Sequence, residues 1–224
     1  MFYIGIDDAG RGPVIGPMVL AGVLVDEKQE AKLKLIKVKD SKLLSPHRRE
    51  FLAREIKKIV TAHCVLKTSA KEIDDLITQK INLNKIEAIK AAEIINILTK
   101  NIHKAEVIID CPSNNVIAWK NYLLNNVKDK EKIILKCEHK ADINHPVVSA
   151  ASILAKVTRD LELEKIKKQY NIECGSGYPS DPLCIKFLKT QKAKELARLG
   201  LIRKSWQTWG REIKKQGQKK LSEF

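Results

Sequence analysis

Five stretches of this chain are apolar over about four to eight positions and bounded by turn formers or charge: residues 2–6, 18–25, 62–67, 106–109 and 133–137. Each is too short for a buried helix and rich in Val and Ile, so each predicts a strand. The first ends at Asp7 and the fourth at Asp110. Three glycines and two prolines separate the first pair, which predicts a tight connection between two strands. Elsewhere the period changes. Ile86, Ile89, Ile94, Ile97 and Leu98 recur at helical spacing among charged residues over 82–100. Ser113 is positioned to cap a helix running to about 126. A helix over 148–168 opens on Ser149, Ala150, Ala151 and Ser152, side chains small enough to let its axis approach a sheet. The stretch NIECGSGYPSDP, residues 171–182, predicts a loop. Residues 183–199 and 205–215 return to helical patterning. Strands early and helices late indicate an α/β fold with a small helical C-terminal part, divided as 1–172 and 173–224.

Composition narrows the choice of partners. Lys and Arg number 42 against 27 Asp and Glu, a formal charge of +15 over 224 residues. Such a surplus favours a polyanionic partner, nucleic acid before an anionic membrane. No apolar run approaches the roughly 18–20 residues needed to span a bilayer. The N-terminus reads as a strand and not as a signal peptide. Five scattered cysteines, with no CxxC pair, argue against a disulfide framework or a zinc site and fit a reducing, cytoplasmic setting.

Against that positive charge, the acids at the strand ends stand out. If the strands ending at Asp7 and Asp110 are parallel neighbours, both carboxylates emerge at one carboxyl edge, where α/β proteins place their sites. Asp142 lies just past the fifth strand and before the small-residue helix. Any one of the three could be a turn former or a helix cap. Together they would repel one another unless cations joined them, and hard divalent ions with oxygen ligands, Mg²⁺ or Mn²⁺, suit such a set. Gly10-Arg11-Gly12 follows Asp8 almost at once. It reads either as bare turn chemistry or as a loop whose glycines let a ligand approach while Arg11 meets a phosphate.

Four stretches in order, GIDDAGRGPVIGPMV, VKDSKLL, KADINHPVVSAASILAKVTRD and GSGYPSDP, together resemble type 2 ribonuclease H, ribonuclease HII, in its archaeal and eukaryotic-catalytic-subunit branch. The resemblance covers residues 2 to about 210. It implies a ribonuclease H-like mixed sheet flanked by helices, carrying four metal-binding carboxylates at Asp7, Asp8, Asp110 and Asp142. It implies sugar recognition by Gly10, Arg11 and Gly12 and junction sensing by Tyr178. The implied activity cuts the RNA strand of RNA–DNA hybrids, and cuts 5′ to a single ribonucleotide within duplex DNA, leaving 3′-hydroxyl and 5′-phosphate ends. One position departs from the family, which usually has Asp-Glu where this chain has Asp7-Asp8. The shorter side chain displaces a ligand oxygen by about one carbon–carbon bond, against metal-site tolerances of roughly 0.2 Å.

On the chemistry of hydrolysis, Asp7 and Asp110 are expected as shared metal ligands, with Asp8 and Asp142 outside them. Lys42 resembles a family position near a substrate phosphate, and equally reads as a lysine at the entry to a helix. Ser149 and Lys156 could touch phosphate or could serve packing and solvation. His139 and His145 flank Asp142 and read as loop histidines. Basic residues crowd the chain after 183, among them Lys186, Lys189, Arg198, Arg203 and Arg211, a charge that can lie along duplex phosphates. Trp206 and Trp209 share a helical face and read as core. Gln218, Leu221 and Phe224 have the Q-x-x-L-x-x-F spacing of peptides that enter sliding clamps. Nothing demands an oligomer, so a monomer is expected. Two other readings stay open at this stage: a different nuclease on the same scaffold without junction recognition, and a non-catalytic nucleic-acid binder whose metal site is weakened at Asp8.

Overall fold

A computed structural model describes residues 1–36, 38 and 44–212. Five strands, β1 (Phe2–Ala9), β2 (Met18–Asp26), β3 (Ala62–Thr68), β4 (Ala105–Asp110) and β5 (Ile133–Glu138), form one sheet in the order β3-β2-β1-β4-β5. β1 runs antiparallel to β2 and parallel to β4, which is parallel to β5. The sheet is therefore mixed, as the resemblance implies. The helices, in chain order, are α1 (Glu27–Leu35), α2 (Pro46–Ile59), α3 (Ala70–Thr78), α4 (Leu83–Leu98), α5 (Val116–Leu124), the single turn α6 (Ala141–Asn144), α7 (Pro146–Tyr170), α8 (Pro182–Leu188) and α9 (Gln191–Arg198).

The contacts divide the chain into two compact units, and not at one cut near residue 172. Among the described residues, the first takes those within 1–9, 19–67 and 82–158, and the second those within 10–18, 68–81 and 159–212. In the first unit, alternate residues of the strands face opposite sides. Val19, Ala21, Val23 and Val25 pack with Val147, Val148, Ala151 and Leu154 of α7. Gly5 of β1 lies on that face, where a Cβ would collide with the Val147 backbone, so glycine is what lets α7 sit directly on the strand. The opposite face carries Ile6 and Gly22 against Ile94 and Leu98 of α4. The small-residue start of α7 thus does what its composition predicts.

In the second unit, Val14, Ile15, Leu163, Phe187, Leu196, Ile202 and Trp209 form a separate core. The segment 10–18 is threaded through it by backbone hydrogen bonds: Val14 N–H to Gly177 O at 2.9 Å, Gly16 N–H to Leu201 O at 3.0 Å, and Arg203 N–H to Val14 O at 2.8 Å. Cys174 and Cys184 fill the same core, where burial pushes their thiols up to about 11 and about 12. They stay protonated and act as small apolar side chains. All five cysteines are free thiols.

The helices differ from the sequence pattern at several points. The expected helix over 183–199 is two helices, because the Thr190 hydroxyl accepts from Ala193 N–H and starts a new one. α5 is capped by Asn115 and not by Ser113, whose hydroxyl turns to the Asn115 carbonyl. α1 and α3 are additional to that pattern and open on caps, Asp26 with Gln29 in a reciprocal capping box and Ser69 accepting from Glu72 N–H. Among the described residues, no helix is long and apolar enough to cross a membrane.

Candidate metal centre and substrate loop

The parallel register of β1 and β4 pairs Ile6 with Ile109. One residue further along each strand, Asp7 and Asp110 share the same face and the same edge. Asp142 joins them from α6: one carboxylate oxygen from each of the three lies within 4.8 Å of the others. Asp7 and Asp142 are buried and Asp110 is half-buried. The surrounding backbone holds each acid in place. Ala141 N–H donates to Asp110 Oδ1 at 3.2 Å, tying α6 to the end of β4. Cys111 N–H donates to Glu138 O at 2.8 Å, and His139 Nδ1 lies 3.0 Å from Cys111 O. Lys140 adopts the left-handed conformation, φ 59°, that turns the chain from β5 into α6.

Asp7 carries the electrostatic strain of the cluster. Burial pushes its carboxyl well above the ordinary carboxylate range; the charges of Asp8 and Asp110 push the same way, while the Ser152 hydroxyl and Asp8 N–H oppose them. Three converging carboxylates with hard oxygen donors fit a divalent cation of the Mg²⁺ or Mn²⁺ type, whose charge would offset that cost.

Asp8 is not one of the three acids whose oxygens come within 4.8 Å of one another, yet it lies beside them. Being next to Asp7 on a strand, it faces the other side of the sheet, paired with Leu20 while Asp7 pairs with Ala21. It lines a small recess with Asp7, Asp110, Ile6, Leu20 and Glu87 of α4. Its backbone N–H donates to Asp7 Oδ1 at 2.7 Å. Glu87, buried at 1% exposure beside these carboxylates, is an acid the sequence pattern does not single out. Its only signal was a carboxylate on the apolar face of a helix.

Ser149 turns its hydroxyl into the protein. It is buried, and its hydroxyl donates to the Asp142 carbonyl and, at 3.3 Å, to the His145 carbonyl, bracing the turn that presents Asp142. His145 Nε2 lies 3.0 Å from Glu138 Oε2, a pairing at the rim of that turn. Lys42, Gln218, Leu221 and Phe224 lie outside the described residues.

The second unit gathers the glycine loop and the tyrosine. Gly10 has φ 84°, a backbone that favours glycine, and a Cβ there would lie 2.7 Å from Pro17 O. Gly12 is exposed, and a Cβ there would sit 3.2 Å from the Tyr178 ring. The Arg159 guanidinium lies over that ring at 5.0 Å and donates to Ser176 O. Asp181 closes the GSGYPSDP loop, accepting from Ser176 N–H at 2.7 Å, Ser176 Oγ at 2.8 Å and Leu183 N–H at 2.9 Å. Those bonds hold its carboxyl below the ordinary range.

Arg203 differs from its expected role. It is not one more cation on a phosphate-binding surface; it is wholly buried, 0% exposed. Trp206 likewise does more than pack, since its Nε1–H donates to Gly12 O at 3.1 Å.

The family model for ribonuclease HII matches residues 4–209. A ribonuclease HII of Pyrococcus furiosus is 44% identical over 204 residues, covering 91% of this chain and 88% of that protein. The crystal structure of the ribonuclease H2 from Pyrococcus horikoshii OT3 superposes with a TM-score of 0.83 at 36% identity, covering 96% of this chain and 98% of that one. The structure of the PCNA:RNase HII complex from Archaeoglobus fulgidus gives a TM-score of 0.77 at 37% identity, with 92% and 96% covered.

Proposed function

Because the chain belongs to the ribonuclease HII family and is a metal-dependent endoribonuclease acting on the RNA strand of RNA–DNA hybrids, we propose that it also cuts 5′ to a single ribonucleotide in duplex DNA, by two-metal-ion hydrolysis. The observation that carries the metal reading is the convergence of Asp7, Asp110 and Asp142 oxygens within 4.8 Å. Asp7 and Asp110 serve as shared ligands and Asp142 as an outer one, with Asp8 at the recess beside them completing the set. When bound there, divalent ions would supply a deprotonated water at neutral pH and offset charge on the leaving 3′ oxygen. The chain's own residues fix where that happens. Ala141 N–H orients one oxygen of Asp110, Ser152 one of Asp7, and Ser149 holds the turn under Asp142.

Reading one ribonucleotide requires contact with a 2′-hydroxyl, which both donates and accepts. Gly10, Arg11 and Gly12 supply backbone groups at a point where the missing side chains let a sugar come close. Tyr178, against Gly12, stacks under the following deoxyribose. A ribonuclease that used the 2′-hydroxyl as nucleophile would leave a 2′,3′-cyclic phosphate and a 5′-hydroxyl. This enzyme is expected to leave 3′-hydroxyl and 5′-phosphate ends on a hybrid substrate, read by end-labelling and ligation; cyclic phosphate would overturn hydrolysis by an activated water.

The enzyme works as a monomer in the cytoplasm in this reading, and its tail engages a sliding clamp. The tail proposal rests on the spacing of Gln218, Leu221 and Phe224, and gains from the complex with a clamp that a relative forms. Deleting residues 218–224 is expected to abolish clamp binding in a pull-down or calorimetric titration while leaving hybrid cleavage intact. Unchanged affinity for the clamp would refute it.

A further inference from the structure

Arg203 has no place in the chemistry described so far, yet it is the largest wholly buried side chain in the molecule's described part. A guanidinium taken out of water is tolerated only where its donors are met. Here Nε donates to Gly16 O at 3.1 Å, Nη1 to Arg11 O at 2.9 Å and Nη2 to Gly10 O at 2.6 Å. All three acceptors are backbone carbonyls of one loop, the loop that holds the Gly-Arg-Gly run. Trp206, whose ring lies 4.8 Å from the Arg203 guanidinium carbon, takes the next carbonyl, Gly12 O, with its Nε1–H. Asp74 secures the turn between them, accepting from Lys204 N–H at 2.8 Å and Ser205 N–H at 3.0 Å.

Carbonyl direction decides N–H direction. In a planar trans peptide the C=O of one residue and the N–H of the next point opposite ways. Pinning Gly10 O and Arg11 O onto Arg203 therefore turns Arg11 N–H and Gly12 N–H to the side away from it. Two successive N–H groups facing one way make a donor pair for an electronegative atom. Pinning Gly12 O adds no third donor, because Pro13 follows.

From this we infer that Arg203 is a positioning residue for ribonucleotide recognition. With Trp206 it clasps the carbonyls of residues 10–12 so that the N–H groups of Arg11 and Gly12 are held facing the sugar's 2′-hydroxyl. The inference rests on the reading of Gly10–Gly12 as the sugar-sensing loop. Lysine cannot replace the arginine, because one ammonium on a flexible stem cannot span three carbonyls held in a fork.

A duplex with one ribonucleotide offers a single 2′-hydroxyl, whereas a continuous RNA strand offers one at every register as well as A-form shape. Loosening the clasp must therefore hurt the first substrate more. The experiment compares kcat/KM of the full-length wild type, Arg203→Lys and Trp206→Phe on both substrates, with thermal melts alongside. The single-ribonucleotide reaction is expected to fall about tenfold further than hybrid cleavage in Arg203→Lys, roughly one hydrogen bond's worth of discrimination. Trp206→Phe keeps the ring and loses only its N–H; it should shift the ratio the same way by a smaller factor, and it carries the test if Arg203→Lys does not fold. Both substrates falling by one common factor, or a ratio unchanged in Trp206→Phe, would overturn the clasp as a recognition device. A wild type that leaves the single ribonucleotide uncut would overturn the sugar-sensing reading itself, whatever the variants do.

Discussion

Asp7→Asn is expected to reduce hydrolysis of hybrid RNA by at least ~10³-fold, roughly 4 kcal/mol of transition-state stabilisation, while making the metal-free protein more stable. The two effects share a cause. Burial, then the charge of Asp8, lifts the Asp7 carboxyl well above 3.8. A group whose folded pKa is raised contributes stability that is fully present below the unfolded value and is lost as pH rises through the folded one. In chelator the wild type loses that contribution progressively as pH rises toward neutral. Asparagine never carries the charge and should melt a few degrees higher. Added Mg²⁺ or Mn²⁺ should narrow or reverse the gap, since an ion that binds only the folded wild type stabilises it by mass action. Melts in chelator, repeated from acid to neutral pH, check the sign: the difference between the proteins should grow with pH. A variant that melts lower at neutral pH without metal would mean that the cluster is not under electrostatic strain.

Tyr178→Ala should lower cleavage at a single ribonucleotide by roughly 10–100-fold, the range that loss of one aromatic stacking partner costs, with a smaller effect on continuous hybrid. The ring is held between Arg159, 5.0 Å away, and Gly12, so it is set in position before a substrate arrives. Tyr178→Phe should retain most of the activity, because stacking needs the ring and not the hydroxyl. Kinetics on the two substrates separate these outcomes. Equal losses on both for Tyr178→Ala would reduce the tyrosine to a prop for its loop.

The strand pattern was legible because short Val- and Ile-rich runs ending at Asp7 and Asp110 admit little else, and the small residues of α7 announce their contact with β1. What pairs these strands was not legible; alternation along a strand says nothing of its neighbour, so the parallel register that brings Asp7 beside Asp110 needed the structure. Asp8 illustrates another gap. Adjacency in sequence hides that successive strand residues face opposite ways, so that Asp7 joins Asp110 and Asp142 within 4.8 Å while Asp8 reaches the recess beside them from the other face. Ser149 and Arg203 fail for a common reason: a polar residue in a basic protein looks like a substrate contact until its partners are seen to be carbonyls of its own chain. The break at Thr190 was hidden because a single capping hydroxyl does not disturb the apolar period on either side.

The central claim is that the convergent acids drive a metal-dependent cut at a ribonucleotide. One assay addresses it: an end-labelled DNA duplex carrying a single ribonucleotide, incubated in Mg²⁺ or Mn²⁺ with wild type and with Asp110→Asn purified identically. A single cut on the 5′ side of the ribonucleotide, present in wild type and lost in Asp110→Asn, is the predicted result. Equal cutting by both proteins, or cutting by neither in either metal, would contradict the account.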